Sequence, residues 1–167
     1  PLYSSAASDV YKRQPADKMT DHYWDLTQNL NVAAPFFLAK ALVPGMRSKG
    51  WGRIINFASL QSKRAFKNGI SYGTSKGAVE QMTRAMAEAW SPDGITANSI
   101  APGFFRTELT ESVFSDPELS ARNAAQTCIG RNGEIHDMEG PMIFFCSNAS
   151  NYITGQTLFV DGGYTAK

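Results

Sequence analysis

Apolar and polar positions alternate along the chain with two different periods, and these periods predict helices separated by short buried strands. After Thr20, which can cap a helix, apolar residues recur at roughly helical spacing as far as Gly50 and fall on more than one face. A helix with this pattern has to be buried in a core or in a subunit interface. A second helix is predicted over residues 71–90, where one apolar stripe consists of Tyr72, Val79, Met82, Met86 and Trp90.

Three short apolar runs, at residues 53–59, 95–100 and 157–160, predict strands, and the first is typical of a strand covered on both faces. Shorter helices are predicted after Asp116 and over residues 138–146. Helix and strand therefore alternate, which predicts an α/β fold with right-handed crossovers, a parallel sheet and helices on both of its faces. In such sheets ligands bind at the carboxyl ends of the strands. Three sites follow the predicted strands and are candidates for chemistry, namely Ser59, Pro102-Gly103 and Asp161-Gly162-Gly163.

Composition narrows the class of protein. Apolar residues make up 43% and charged residues 19%, as in a globular protein, and no apolar run is long enough to span a membrane. The net charge of +1 gives no electrostatic reason to expect nucleic acid or an anionic membrane as a partner. Cys128 and Cys146 lack CxxC spacing, so we expect neither a disulfide framework nor a metal site. For the same reason we expect a cytoplasmic location.

The first fourteen residues, PLYSSAASDVYKRQ, have neither an amphipathic period nor the apolar core of a signal peptide. They resemble the translation of a sequencing adapter, and the alternative is a disordered natural leader. We expect residues 1–14 to be a non-native leader and residues 15–167 to be the informative domain, which begins in mid-gene. Without the leader the chain has 14 basic and 14 acidic residues.

Tyr72 is followed four residues later by Lys76, which places both side chains on one face of the predicted helix. A phenol has an ordinary pKa near ~10, and a lysine ammonium held close would lower that pKa toward neutrality. The pair alone is also compatible with chance surface decoration. Ser59, at a predicted strand end thirteen residues before Tyr72, favours the catalytic interpretation.

Several motifs occur in an order that resembles the short-chain dehydrogenase/reductase family. They are Leu30-Asn31-Val32, Gly52-Arg-Ile-Ile-Asn-Phe-Ala-Ser59, Tyr72-Gly-Thr-Ser-Lys76, Asn98-Ser-Ile-Ala-Pro102-Gly103 with Thr107, and Tyr152-Ile-Thr-Gly-Gln-Thr-Leu-Phe-Val-Asp-Gly-Gly163. The resemblance covers residues 15–167. It implies the C-terminal part of a doubly wound, Rossmann-type parallel sheet.

The resemblance also implies a role for each site residue. Tyr72 would be the general acid in carbonyl reduction and the general base in alcohol oxidation, and Ser59 would hydrogen-bond the substrate oxygen. Lys76 would lower the pKa of Tyr72 and hold the ribose of the nicotinamide cofactor. Asn31 would support a water leading from Lys76 to solvent, helped by Pro35, which lacks the N–H that would otherwise bind the Asn31 carbonyl. A plain helix kink is the alternative role of Pro35.

The same resemblance assigns cofactor contacts to Tyr72 and Lys76, and the nicotinamide end would also touch Pro102, Gly103 and Thr107. However, the sequence contains no Gly-x-x-x-Gly-x-Gly turn between a strand and a helix, so we expect the phosphate-binding half of the domain to be missing. The choice between NAD and NADP depends on that half.

Two groups of residues beside these motifs leave alternatives open. Lys63, Arg64 and Lys67 could attract a carboxylated substrate or form a solvated loop. A second group could form a lid over the substrate or pack in the core, and it consists of Phe104, Phe105, Leu109, Val113 and Phe114.

Within the family, the sequence looks most like sugar-acid dehydrogenases, which interconvert a secondary alcohol and a ketone with NAD or NADP. The substrate would then be a sugar acid or polyol. A 3-oxoacyl thioester reductase is the runner-up, and a catalytically silent piece or interaction module is the alternative from another class. The resemblance also predicts a homodimer or homotetramer, because the equivalent helices pair across a two-fold axis in the family.

Overall fold

The computed structural model describes residues 14–107 and 110–167, apart from the side chain of Ser112. The predicted leader therefore lies outside the described residues, except for Gln14. Six α-helices are described, namely α1 (Asp21–Gln28), α2 (Ala34–Lys49), α3 (Ile70–Trp90), α4 (Glu111–Phe114), α5 (Pro117–Ala125) and α6 (Glu139–Cys146). The three strands are β1 (Gly52–Phe57), β2 (Ile95–Pro102) and β3 (Thr157–Val160).

Capping residues and a glycine determine where three of the helix ends lie. Thr20 caps α1 by accepting a hydrogen bond from the Tyr23 N–H, and Asp116 caps α5 by accepting one from the Leu119 N–H. At its other end α2 stops at Gly50, whose φ of 60° is a left-handed conformation that glycine adopts without strain. These ends agree with the sequence prediction to within a residue or two.

A π-helical turn, Asn29–Ala33, joins α1 to α2 so that the two run on as one helix. In this turn the Ala34 N–H donates to the Asn29 carbonyl, five residues back instead of four. Pro35 follows directly and cannot donate the helical hydrogen bond that its position would require. The sequence predicts a disturbance of the helix here, and the structure shows that it takes the form of a π-turn, a feature often found at functional sites.

The sheet is parallel, in the order β1-β2-β3. Ile54 lies opposite Ala97 and Ile100 lies opposite Leu158, which fixes the register. β2 is buried along nearly its whole length, as expected for a central strand with layers on both sides. The α/β fold and the parallel sheet predicted from the sequence are confirmed.

The main core lies between the sheet and helices α2 and α3. It combines Ile54, Ile95 and Ala97 of the sheet with small and flexible side chains of the two helices, which are Ala39, Val43, Met86 and Ala87. A smaller cluster of Ala58, Val79 and Ala101 continues this core toward the carboxyl ends of the strands. Burial of this apolar surface fixes α3 across β1 and β2 and so determines where the first turns of α3 lie.

Part of the apolar surface of α2 is exposed. Leu38 is 63% exposed and Phe37 is 60% exposed, and Leu42 is also largely uncovered. The helical pattern predicted a buried helix, and the described residues cover only the face that contacts β1 and α3. Within the described ranges, no helix combines the length and the apolar character that crossing a membrane requires.

Candidate active site

A cavity of about 320 Å³ opens at the carboxyl ends of β1 and β2. All seven residues that the sequence predicts for catalysis or cofactor binding line it, namely Asn31, Ser59, Tyr72, Lys76, Pro102, Gly103 and Thr107. They come from the π-turn, the end of β1, the first turns of α3, and the last residue of β2 with the segment after it. The fold therefore brings together residues that are up to 76 positions apart in the sequence.

Lys76 lies one helical turn after Tyr72 on α3. Its Nζ donates to the carbonyl oxygen of Phe57 at 2.8 Å and lies 5.6 Å from the centre of the Tyr72 ring. Burial lowers the pKa of Lys76 from its ordinary 10.5 to about 8. At neutral pH the ammonium is still mostly charged, so a cation stands beside the phenol ring inside the cavity.

Ser59 is the second residue after β1, separated from the strand by Ala58. It is the N-cap of the 3₁₀ turn Leu60–Ser62. The Gln61 N–H donates to the Ser59 hydroxyl oxygen at 3.2 Å. This bond uses an oxygen lone pair of Ser59 and not its proton, so the hydroxyl keeps the ability to donate toward a bound carbonyl.

Asn31 belongs to the π-turn and is attached to α3. Its side-chain amide donates to the Ser75 hydroxyl at 3.0 Å, and that hydroxyl donates to the Tyr72 carbonyl at 2.7 Å. Ser75 is fully buried. The chain of two hydrogen bonds places Asn31 at the cavity, and the water-supporting role of Asn31 stays a prediction.

Gly103 is required by close packing at the cavity edge. A Cβ atom at this position would lie 2.7 Å from the Cα atom of Asp161, which follows β3. The Asp161 carboxylate is itself used within its turn, where it accepts hydrogen bonds from the Gly163 N–H and from both the N–H and the hydroxyl of Thr165. The Asp161-Gly162-Gly163 motif therefore builds the turn after β3, and it lines a neighbouring cavity of about 380 Å³.

The cavity walls are mainly apolar, with Leu30, Leu60, Phe66, Phe104 and Phe105 among them. Of the described residues that line the cavity, Lys76 is the one with a charged side chain. Phe104 and Phe105 thus lie where the predicted lid would contact a substrate. Val113 lies at a different cavity, and Leu109 is outside the described residues.

The basic residues after Ser59 do not line this cavity. Lys63 forms an ion pair with Glu80, with 3.0 Å between Nζ and Oε2. Arg64 stacks over the Tyr164 ring and donates to the carbonyl of Lys167. These contacts favour a structural role of the loop over recruitment of a carboxylated substrate. Among residues 14–107 and 110–167, no group of three His, Cys, Asp or Glu side chains is arranged to hold a metal ion.

Two hydroxyl residues that support the site were missed by sequence reasoning. Ser75 carries the bond from Asn31, and Ser62 donates to the Lys76 carbonyl at 2.9 Å. A serine has no distinctive spacing or charge, so its neighbours in the sequence do not reveal such contacts. The only signal for them in the sequence is their position: Ser62 lies three residues after Ser59, and Ser75 lies three residues after Tyr72.

Replacing Lys76 by Met is expected to stabilise the cofactor-free protein at pH 7, by on the order of 1 kcal/mol. Below about pH 8 the ammonium is charged in both folded and unfolded chains, so folding carries the full cost of burying it. As pH rises from about 8 to 10.5 that cost disappears, and the advantage of the variant should shrink.

Urea unfolding at a series of pH values measures this difference. Lys40→Met, at an exposed position of α2, is the matched control. A Lys76→Met advantage that grows between pH 8 and 10.5 would contradict the assignment of a buried, destabilised ammonium.

Comparison with known proteins finds a matching family model and related proteins. A family model described as enoyl-(acyl carrier protein) reductase matches residues 2–165. Gluconate 5-dehydrogenase of Gluconobacter oxydans is 36% identical over 156 residues, which cover 93% of this chain and 61% of the relative. 2-Dehydro-3-deoxy-D-gluconate 5-dehydrogenase of Escherichia coli is 38% identical over 162 residues, which cover 95% of this chain and 63% of the relative.

The fold is also similar to solved structures. A crystal structure of gluconate 5-dehydrogenase from Burkholderia cenocepacia in complex with NADP and tartrate has a TM-score of 0.91 and 37% identity, with 95% of this chain and 62% of that chain covered. The chain thus spans a little over three fifths of the length of the relatives that it matches.

Proposed function

Because the chain belongs to the short-chain dehydrogenase/reductase family, we propose that the complete protein interconverts a secondary alcohol and a ketone with NAD or NADP. The observation that carries the proposal is the single cavity in which Ser59, Tyr72 and Lys76 meet. A phenol, a hydroxyl and an ammonium at one strand end are the groups needed to move a proton to or from a substrate oxygen.

In the direction of reduction, the Tyr72 hydroxyl gives its proton to the carbonyl oxygen of the substrate. Ser59 donates a hydrogen bond to the same oxygen, which orients it and stabilises the charge that develops there. The Lys76 ammonium, 5.6 Å from the centre of the Tyr72 ring, stabilises the negative charge that the departing proton leaves on Tyr72. Oxidation of an alcohol uses the same groups in reverse.

The residues present fit the nicotinamide end of the cofactor. An ammonium has three N–H donors, and Phe57 accepts one of them, so Lys76 has donors for the vicinal hydroxyls of a ribose. Pro102, Gly103 and Thr107 line the same cavity and would contact the nicotinamide. When bound, the nicotinamide supplies or accepts the hydride. The sequence has no Gly-x-x-x-Gly-x-Gly turn, so this chain provides no such turn for the pyrophosphate.

We further propose a sugar acid as the substrate. The relatives named above act, by their names, on gluconate or 2-dehydro-3-deoxy-D-gluconate, and they align with more than nine tenths of this chain. The runner-up is a 3-oxoacyl thioester, which the mainly apolar cavity walls and the family description favour. We also propose the cytoplasmic location predicted from the sequence, because Cys128 and Cys146 are both free thiols.

The complete protein should reduce 5-keto-D-gluconate with NADH or NADPH much faster than it reduces a 3-oxoacyl thioester. Cofactor oxidation followed by absorbance measures both rates under the same conditions. Faster turnover of the thioester would replace the sugar acid by the runner-up. Turnover of neither substrate, or of any secondary alcohol or ketone in a broad panel, would favour the catalytically silent interaction module.

We also propose that the complete protein is a homodimer or homotetramer. The exposed apolar side chains Phe37, Leu38 and Leu42 form a patch on α2 of a kind that usually marks an interface. Light scattering at micromolar concentration should give the mass of at least two subunits. A monomer under these conditions would contradict the proposal.

A further inference from the structure

Ser62 joins the two segments that carry the proposed catalytic groups. Its hydroxyl oxygen accepts a hydrogen bond from the Ser59 N–H at 3.3 Å and donates one to the Lys76 carbonyl at 2.9 Å. Its own N–H donates to the Ser59 carbonyl at 3.0 Å. One side chain therefore connects the backbone of Ser59, after β1, with the backbone of Lys76, in the second turn of α3.

One continuous segment therefore contacts both the side chain and the backbone of Lys76. Its ammonium donates to the carbonyl of Phe57, and its backbone carbonyl accepts from Ser62. Phe57 and Ser62 are the two ends of the stretch that contains Ser59. The strand end, the 3₁₀ turn and α3 thus form a closed ring of hydrogen bonds around the position of Ser59.

A second contact attaches the same turn to α3 one helical turn farther along. Lys63 pairs with Glu80, which is only 3% exposed, and their charged atoms lie 3.0 Å apart. Glu80 also lies 3.9 Å from the Arg84 guanidinium on its own helix, so Lys63 is one of two cations beside this buried carboxylate and favours the observed placement of the turn against the helix. The segment from Ser59 to Lys63 is therefore held against α3 at two points.

We propose that Ser62 is a positioning residue, whose hydroxyl sets the place of the Ser59 side chain relative to Tyr72 and Lys76. Ser62 does not line the cavity, so it acts through Ser59 and not on the substrate. A misplacement of about 1 Å in a catalytic group can cost ~100-fold in rate, which makes such a connection consequential. The proposal rests on the proposed oxidoreductase function.

The test uses the complete enzyme and three variants. Ser62→Ala removes both hydroxyl bonds and is expected to lower kcat on the order of 10-fold, with the cofactor KM unchanged, because the Lys76 ammonium keeps its contact with Phe57. Ser62→Thr keeps a hydroxyl and should restore most of kcat. Ser48→Ala is the matched control, since the Ser48 hydroxyl bonds to the Gly45 carbonyl near the exposed end of α2. Its kcat should equal that of the parent.

A double-mutant cycle separates positioning from a general structural role. If Ser62 acts through Ser59, Ser62→Ala should cost less than about twofold in a Ser59→Ala background. An equal loss in both backgrounds, or a parental kcat in Ser62→Ala, overturns the proposal. Should Ser62→Ala fail to fold, Ser62→Cys keeps the volume with weaker hydrogen bonds, and a parental kcat in that variant also overturns it. If Ser59→Ala alone leaves turnover intact, the proposed function of Ser59 fails instead.

Discussion

Replacing Tyr72 by Phe is expected to reduce turnover of the complete protein by about 10²–10⁴-fold, since general acid–base catalysis contributes on that order. The ring still fills its place in the cavity and still lies against the Lys76 ammonium. The transferable proton, however, is gone. Because the ribose contacts proposed for Lys76 are retained, the dissociation constant of the cofactor should change by less than about threefold.

Single-turnover rates and cofactor titration of the same preparation measure the two quantities separately. Tyr152→Phe is the matched control, because Tyr152 is fully exposed and lies outside the cavity. The control should retain parental turnover. A Tyr72→Phe variant that keeps most of its turnover would exclude Tyr72 as the acid and base, and a large loss of cofactor affinity would show that the Tyr72 hydroxyl itself binds the cofactor.

Part of the candidate site was predictable from characteristic spacings in the sequence, whereas Asn31 and Thr107 were assigned from the family resemblance. Tyr72 and Lys76 are one helical turn apart, and a helical period through residues 71–90 is strong enough to place both on one face. Ser59 follows an apolar run whose character indicates a buried strand. Parallel strands bring their carboxyl ends to one edge of the sheet, so the topology alone predicts that these residues and Pro102 approach each other.

Other features depend on three-dimensional contacts that no local pattern contains. The bond from Ser62 to the Lys76 carbonyl joins residues fourteen positions apart and involves a backbone acceptor, which every residue has. The partner of Lys63 could not be chosen in advance, since a lysine on a loop is usually solvated. Its pairing with Glu80 depends on the burial of that carboxylate, which only the packing of α3 determines.

The apolar pattern of α2 illustrates a different limit of prediction from sequence. Its spacing indicates that several faces need cover, but a pattern does not say what covers them. In the described residues, the sheet and α3 cover the face with Ala39 and Val43, while Phe37 and Leu38 stay exposed. The pattern therefore predicts a core or an interface, and the homodimer or homotetramer is a prediction of the family resemblance alone.

A polypeptide of residues 15–167 alone is expected to bind neither NADH nor NADPH detectably and to reduce no ketone. Among the described residues β1 pairs only with β2, so its other edge presents unpaired backbone N–H and C=O groups. That edge belongs to the strand whose end positions Ser59 and whose Phe57 carbonyl holds Lys76. Phe57 itself is 49% exposed, which adds apolar surface to an edge already prone to association.

The second reason for this expectation is the cofactor's charge. A pyrophosphate is normally held by a Gly-rich turn at a helix N-terminus, and the sequence has no such turn. Contacts at the nicotinamide end alone leave that charge without its usual N–H donors, so Tyr72, Lys76 and Ser59 would be arranged correctly and have no cofactor beside them.

Fluorescence titration of purified residues 15–167 with NADH and NADPH, followed by a ketone-reduction assay, tests this expectation. The complete protein serves as the positive control, and the Tyr72→Phe form of the same segment identifies any turnover from a contaminating reductase. Saturable binding at millimolar concentration or below, with turnover that Tyr72→Phe removes, would show that this part of the domain is sufficient. Because such turnover needs Ser59 in place, it would also show that the open edge of β1 does not disturb the strand end.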